Sequence, residues 1–201
     1  MIKMKIAKII SITFIILSLT TIVSSCHNNK KYRINVNKTL HIKIQNDITK
    51  WNKTQNIEYL EDAYQIIKKS NMTEIDEPNT QLISTVLFGL KKYDELLTFL
   101  KKYQNKHYSN LIQLTIYQTN YFKYKGTPKE KYFIKKIISS YKDSIRAHPK
   151  DTLYYVDLFM YKSKIFPQKT LLKEIDSLKR LGRFDEVTES LILKYMNNNS
   201  F

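Results

Sequence analysis

Cysteine is almost absent: Cys26 is the single one in 201 residues. No intramolecular disulfide can form, so stability must come from an apolar core. Glycine and proline are scarce too, three and four residues against average usage of about 7% and 5%, and turn-rich all-β folds are hard to build on so few breakers. Their placing matters. Pro78, Pro128, Pro149, Pro167, Gly126 and Gly182 fall between segments of apolar periodicity, and only Gly89 stands near the end of one, which is where breakers separate helices. The apolar stretch from Ile9 to Val23 has only 15 residues, short of the ~20 that a spanning helix needs. Acids are few, 18 against 34 lysines and arginines, for a formal net charge of +16.

Patterns that carry chemistry are missing as well. His27, His41, His107 and His148 are scattered with no second ligand at helical spacing, and no cysteine is left over for a metal. There is neither a glycine-rich phosphate loop nor a Gly-x-Ser-x-Gly elbow. Glu61 with Asp62, and Glu74 with Asp76 and Glu77, read as solvated charges near helix ends. The expectation is a protein that is not an enzyme and uses no metal or cofactor.

What the chain does have is helical spacing. Ile57, Leu60, Tyr64 and Ile67 repeat at three- and four-residue steps, one apolar face of a helix over about Asn56 to Lys69. Further helices are expected at Pro78 to Lys91, Tyr93 to Tyr103, Ser109 to Lys125, Pro128 to Ala147, Thr152 to Ile165, Gln168 to Arg180 and Phe184 to Met196. Thr127, Pro128 and Glu130 have the spacing of a capping box with proline at the first helical position, and Asp151 is a second candidate cap. Tyr32 to Gln45 leaves two readings open: a hairpin of alternating Ile34, Val36, Leu40, Ile42 and Ile44, or a solvated tether running into a short helix over Ile44, Ile48 and Trp51.

Lys3, Lys5 and Lys8 precede the apolar stretch, and Val23-Ser24-Ser25-Cys26 closes it. This resembles the lipobox signal peptide of bacterial lipoproteins. The resemblance implies cleavage between Ser25 and Cys26, lipidation of Cys26, and membrane attachment through acyl chains that contribute ~0.8 kcal/mol per buried methylene. The organisation expected is a signal peptide over 1–25, a lipidated cysteine and tether over 26–45, and a helical domain over 46–201. His27 stands where an Asp would mark retention in the inner membrane, and Asn28, Asn29, Lys30 and Lys31 lack an acidic export run. The periplasmic face of an outer membrane is therefore the expected location in a host that has one.

Short connections make sequential helices pack as antiparallel hairpins, in a bundle or a solenoid. Leu90-Lys91-Lys92-Tyr93-Asp94-Glu95-Leu96 and Leu181-Gly182-Arg183-Phe184-Asp185-Glu186-Val187 match as apolar, turn residue, base, aromatic, Asp, Glu, apolar. Both resemble the turn inside a tetratricopeptide repeat, and His148-Pro149-Lys150-Asp151-Thr152 resembles the proline-marked junction between repeats. They stand 91 residues apart, out of step with a period of about 34, and Ile175 occupies the small-residue place for which Ser84 serves near the first turn. The fold class expected is all-α, a short degenerate tetratricopeptide-like solenoid or an irregular bundle. Such solenoids imply a concave surface for a partner protein or peptide.

Loss of Lys3, Lys5 and Lys8 with the signal peptide leaves a net charge of +13. That implies an anionic partner or lipid surface, or drift in a genome rich in A and T; nucleic acid is not expected outside the cytoplasm. At about 100° per residue, Lys131, Lys135, Lys142 and Arg146 fall within about 60° of one another. This ridge reads as a solvated flank or as an anion-binding face. Fifteen tyrosines include Tyr117, Tyr121, Tyr124, Tyr154 and Tyr155, which read as core packing or as an aromatic groove. Taken together, the sequence suggests a lipid-anchored envelope protein that binds another envelope protein or a peptide; an immunity or inhibitor lipoprotein against a toxin and a glycan- or peptide-capture lipoprotein are the alternatives. Cys26→Ala is expected to leave an unprocessed precursor, and mass spectrometry of the membrane-purified parent to show an acylated Cys26 at the N-terminus. An intact Met1 in the parent would contradict the assignment.

Overall fold

The computed structural model describes residues 38–70, 77–104 and 110–198. Ser25, Cys26, His27 and the possible strand residues Ile34 and Val36 lie outside them. The described residues are all-α, nine helices whose sequential neighbours pack antiparallel. They divide into two compact units, Met1–His107 and Tyr108–Phe201.

The first unit holds α1 (Lys38–Thr54), α2 (Glu58–Lys69), α3 (Glu77–Gly89) and α4 (Tyr93–Gln104). Helix α1 settles the ambiguous stretch: residues 38–45 are its first two turns, not strand, because Ile44, Ile48 and Trp51 form one buried stripe while Ile42 faces solvent. Successive helices pack in pairs, and α1 also meets α3. Gly89 marks the closest approach: a Cβ there would lie 2.5 Å from Leu60 Cδ1 and 3.5 Å from the Trp51 ring. Its bare Cα lets α1, α2 and α3 converge. Tyr64 of α2 donates to Glu95 of α4 at 2.7 Å, with the Lys92 ammonium 4.5 Å above the same ring.

The second unit holds α5 (Asn110–Lys123), α6 (Glu130–Ala147), α7 (Thr152–Lys162), α8 (Gln168–Arg180) and α9 (Glu186–Asn198). Helix α6 packs on both α5 and α7, and α7 also packs on α9. Helix α8 buries Leu171 and Ile175 and is tied to its neighbours by ion pairs, Lys162 with Glu174 and Lys179 with Glu189. Several expected ends shift, α9 also running on to Asn198. Helix α5 stops at Lys123 because Gly126 takes φ +80. Helix α7 stops at Lys162, after which Lys164 and Ile165 donate to carbonyls three residues back. Helix α9 starts at Glu186 because Asp185 caps it, accepting from Thr188 N–H at 2.8 Å.

Asp151 caps α7 as expected, accepting from Leu153 N–H at 3.1 Å. The capping box at Thr127 is not formed. Its hydroxyl instead donates to the Tyr124 carbonyl at 2.7 Å, and Glu130 reaches back to Gly126 N–H at 2.6 Å, so the residues close the preceding turn and α6 begins at Glu130.

The two matching turn segments close their helices in the same way. Lys91 N–H donates to Phe88 and Lys92 N–H to Leu87; Gly182 N–H donates to Lys179 and Arg183 N–H to Leu178. Each is a Schellman turn, with Lys91 at φ 57 and Gly182 at φ 65 in the left-handed conformation that the motif requires. The aromatics that follow differ in cover. Phe184 is buried, its ring 5.5 Å from Tyr155, whereas Tyr93 is only half-buried against Phe88 at 5.6 Å. Phe184→Ala is expected to cost ~3–5 kcal/mol and Tyr93→Ala roughly 1–2 kcal/mol. Chemical denaturation checks the order, and equal costs would show that the two turns are packed alike.

Candidate functional site

The second unit presents two surfaces and one buried polar cluster that bear on function. The first surface follows from the amphipathic pattern of α6. Ile134, Ile137, Ile138 and Tyr141 are buried on one side, which turns Lys131, Lys135, Lys142 and Arg146 together into solvent. Arg146 pairs with Asp143 at 2.9 Å, an exposed bridge worth ~0–1 kcal/mol. Lys131, Lys135 and Lys142 have no acid within ion-pairing distance among the described residues. Beside them Tyr132 is 56% exposed, edge-on to Phe133 at 5.1 Å, with the Lys136 ammonium 5.6 Å above its ring. At the start of the helix Tyr124 stacks on Phe133 at 5.6 Å, and Lys123 and Lys129 lie 5.3 and 5.0 Å from its centroid.

Charge in this unit is unevenly placed. Residues 110–150 hold nine lysines and arginines against two acids, Glu130 and Asp143, while residues 151–201 hold eight against seven. In the latter stretch Glu174, Asp176 and Glu189 are each paired to a lysine or arginine. The basic excess of this unit therefore belongs to residues 110–150, which hold the α5–α6 hairpin.

The five tyrosines of the expected aromatic groove do not line one open surface. Tyr121 and Tyr155 are core residues, 3% exposed each, because the stripe they share with Leu114 and Phe159 is the one that faces the neighbouring helices. Tyr121 sits edge-on to Tyr161 at 5.7 Å, and burial pushes its phenol up to about 12. Tyr117, Tyr124 and Tyr154 are half-buried around that core.

The second surface is the α8–α9 turn. In the first unit the apolar residues of the matching turn are covered, Leu90 half-buried and Leu96 fully so. Their counterparts Leu181 and Val187 are 67% and 68% exposed. The difference arises because α9 starts at Glu186 and turns Thr188, Ile192 and Met196 inward.

The buried cluster was not foreseen. Asp157 lies mid-helix in α7, 5% exposed, hydrogen-bonded to Tyr141, whose hydroxyl also accepts from Gln118 at 3.1 Å. Tyr154, Tyr161 and Tyr195 feel its charge. One polar network thus joins α5, α6 and α7. A signal existed: Asp157 interrupts the otherwise apolar run Leu153 to Tyr161, and a carboxylate there needs a buried partner. In the first unit His41 Nδ1 lies 3.3 Å from Asn79 Oδ1, and buried Asp47 has one carboxyl oxygen without a hydrogen-bond partner. His107 lies outside the described residues, and His148 packs near Tyr154 at the end of α6. Among the described residues no three of His, Cys, Asp and Glu gather as metal ligands, and no helix is long and apolar enough to cross a membrane. Comparison with protein families, with curated proteins and with solved structures finds no match.

Burial pushes the Asp157 carboxyl from its ordinary 3.8 up to about 7, against the opposing hydrogen bond from Tyr141. Between those values the folded protein holds a proton that the unfolded chain has released, so stability falls as pH rises through that window. The loss is on the order of 4 kcal/mol once the group is ionised. Asp157→Asn keeps the shape without the titration, and its denaturation midpoint is expected to change less between pH 5 and pH 8 than the parent's. Parallel pH profiles for the two proteins would rule out Asp157 as the source.

Proposed function

We propose that this chain is a lipid-anchored envelope protein that acts without catalysis, as a binding module for another envelope protein or a peptide on a tetratricopeptide-like scaffold. The signal-like segment ending at Cys26 supports the anchor, and the periplasmic face of an outer membrane is the location that best suits His27 and the non-acidic residues after it. The repeat reading is supported by the two turns, which share seven-residue patterns and also the same pair of closing hydrogen bonds.

The observation that carries the binding reading is the bare second turn. Leu181 and Val187 stand in solvent where Leu90 and Leu96 are covered by their own unit. Isolated surface aliphatics need no explanation, but two that flank one turn, in a motif whose other copy is packed, make an apolar surface suited to a partner. Covering a single such side chain is worth ~1.5–3 kcal/mol.

A photo-crosslinking residue at position 187, in the full chain in its own envelope, is expected to give a discrete adduct, and one at Ile57, an exposed aliphatic of the first unit, to give none. Combining Leu181→Lys with Val187→Lys should lower partner recovery by at least about tenfold with melting nearly unchanged. Undiminished recovery with the double variant would show that the turn is not the docking surface.

A further inference from the structure

We infer that the exposed face of α6 is a second membrane contact, which lays the domain on anionic lipid headgroups. Lys131, Lys135, Lys142 and Arg146 run along one side of a single 18-residue helix, a row about 22 Å long at 1.5 Å per residue. Three of the four form no ion pair among the described residues, the exposed Asp143 being taken by Arg146, and Lys136 and Tyr132 extend the face. The row lies along one exposed helix, and an extended peptide is gripped in a groove between elements, not on a single helix. A bilayer suits it, because lipid phosphates can meet a row of lysines at any register.

The residue types point the same way. Lysine is a point charge on a flexible stem, suited to a field of phosphates, where arginine would serve fixed bidentate recognition. Tyr132, 56% exposed among these lysines, has the apolar ring and polar tip that settle at headgroup level. The location rests on the proposed anchor only in that a lipidated chain keeps the domain beside a bilayer; the docking chemistry belongs to α6 alone.

The test uses the full chain reconstituted in nanodiscs of phosphatidylcholine, with or without phosphatidylglycerol. A fluorophore is placed through Ser139→Cys, at the middle of the exposed face, or through Ser190→Cys on α9, and a headgroup-level quencher is carried by the lipid. Quenching is expected at position 139 only with phosphatidylglycerol, and not at 190. Each lysine shifts the docked-to-free ratio roughly fivefold, so Lys131→Glu, Lys135→Glu and Lys142→Glu together should lower it by at least about a hundredfold, and about 0.5 M salt should abolish it. The triple Lys→Gln variant gives a smaller loss in the same direction and guards against misfolding by the reversals.

Equal quenching in both lipids, no quenching at 139 with phosphatidylglycerol, or quenching untouched by either triple variant would overturn the inference. Retention in the nanodisc is read separately and reports the anchor. If the chain is not retained, the anchor reading fails, and sedimentation with phosphatidylglycerol but not phosphatidylcholine vesicles then decides the docking.

Discussion

Burial of α7 on nearly every side is the constraint from which the second unit follows. Seven of its 11 residues are buried, from Tyr155 through Phe159 and then Tyr161 and Lys162. A helix with so little outside cannot sit at the edge of a bundle; α6 and α9 must cover it, and α8 must supply a partner for Lys162. The polar residues that α7 carries inward decide the fit. Asp157 has to find a donor and finds Tyr141, while the Lys162 ammonium meets the Glu174 carboxylate. An unpartnered charge in either place would cost several kcal/mol, so these contacts restrict how α6 and α8 can lie against the central helix.

The outer face of α6 is a consequence of the same packing. Its apolar stripe is consumed by α5 and α7, so the remaining surface is set by the residues between stripe positions, among them four lysines and Arg146 against the one exposed acid Asp143. Because the acids of residues 151–201 are taken up in ion pairs, caps and the buried site of Asp157, little negative charge is left to neutralise the hairpin. The field that results is a property of where the acids are spent as much as of how many lysines there are.

The matching turns show how one local pattern yields different surfaces. Gly182 takes the left-handed conformation freely, whereas Lys91 does so against the steric cost that a Cβ imposes, and yet the closing hydrogen bonds agree. What differs is the next helix. One begins at Tyr93 and buries Leu96; the other waits for the Asp185 cap and leaves Val187 outside.

Local chemistry made much of this legible. Apolar spacing and the positions of Gly126, Gly182, Pro149 and Pro167 determined the all-α class and most helix limits, because a helix needs only its own residues to show its face and its ends. The seven-residue pattern at Leu90 and Leu181 determined the turn type for the same reason. Tertiary structure decided the rest. Tyr121 and Tyr155 have the same spacing whether their stripe faces a neighbour or a groove, and only packing chose the core. Asp157 stands out within its apolar run, but its partner Tyr141 lies on another helix and is supplied only where α6 packs on α7. Lys131, Lys135 and Lys142 share a face by helix geometry alone, but whether acids of other helices reach them to form ion pairs depends on where those helices pack.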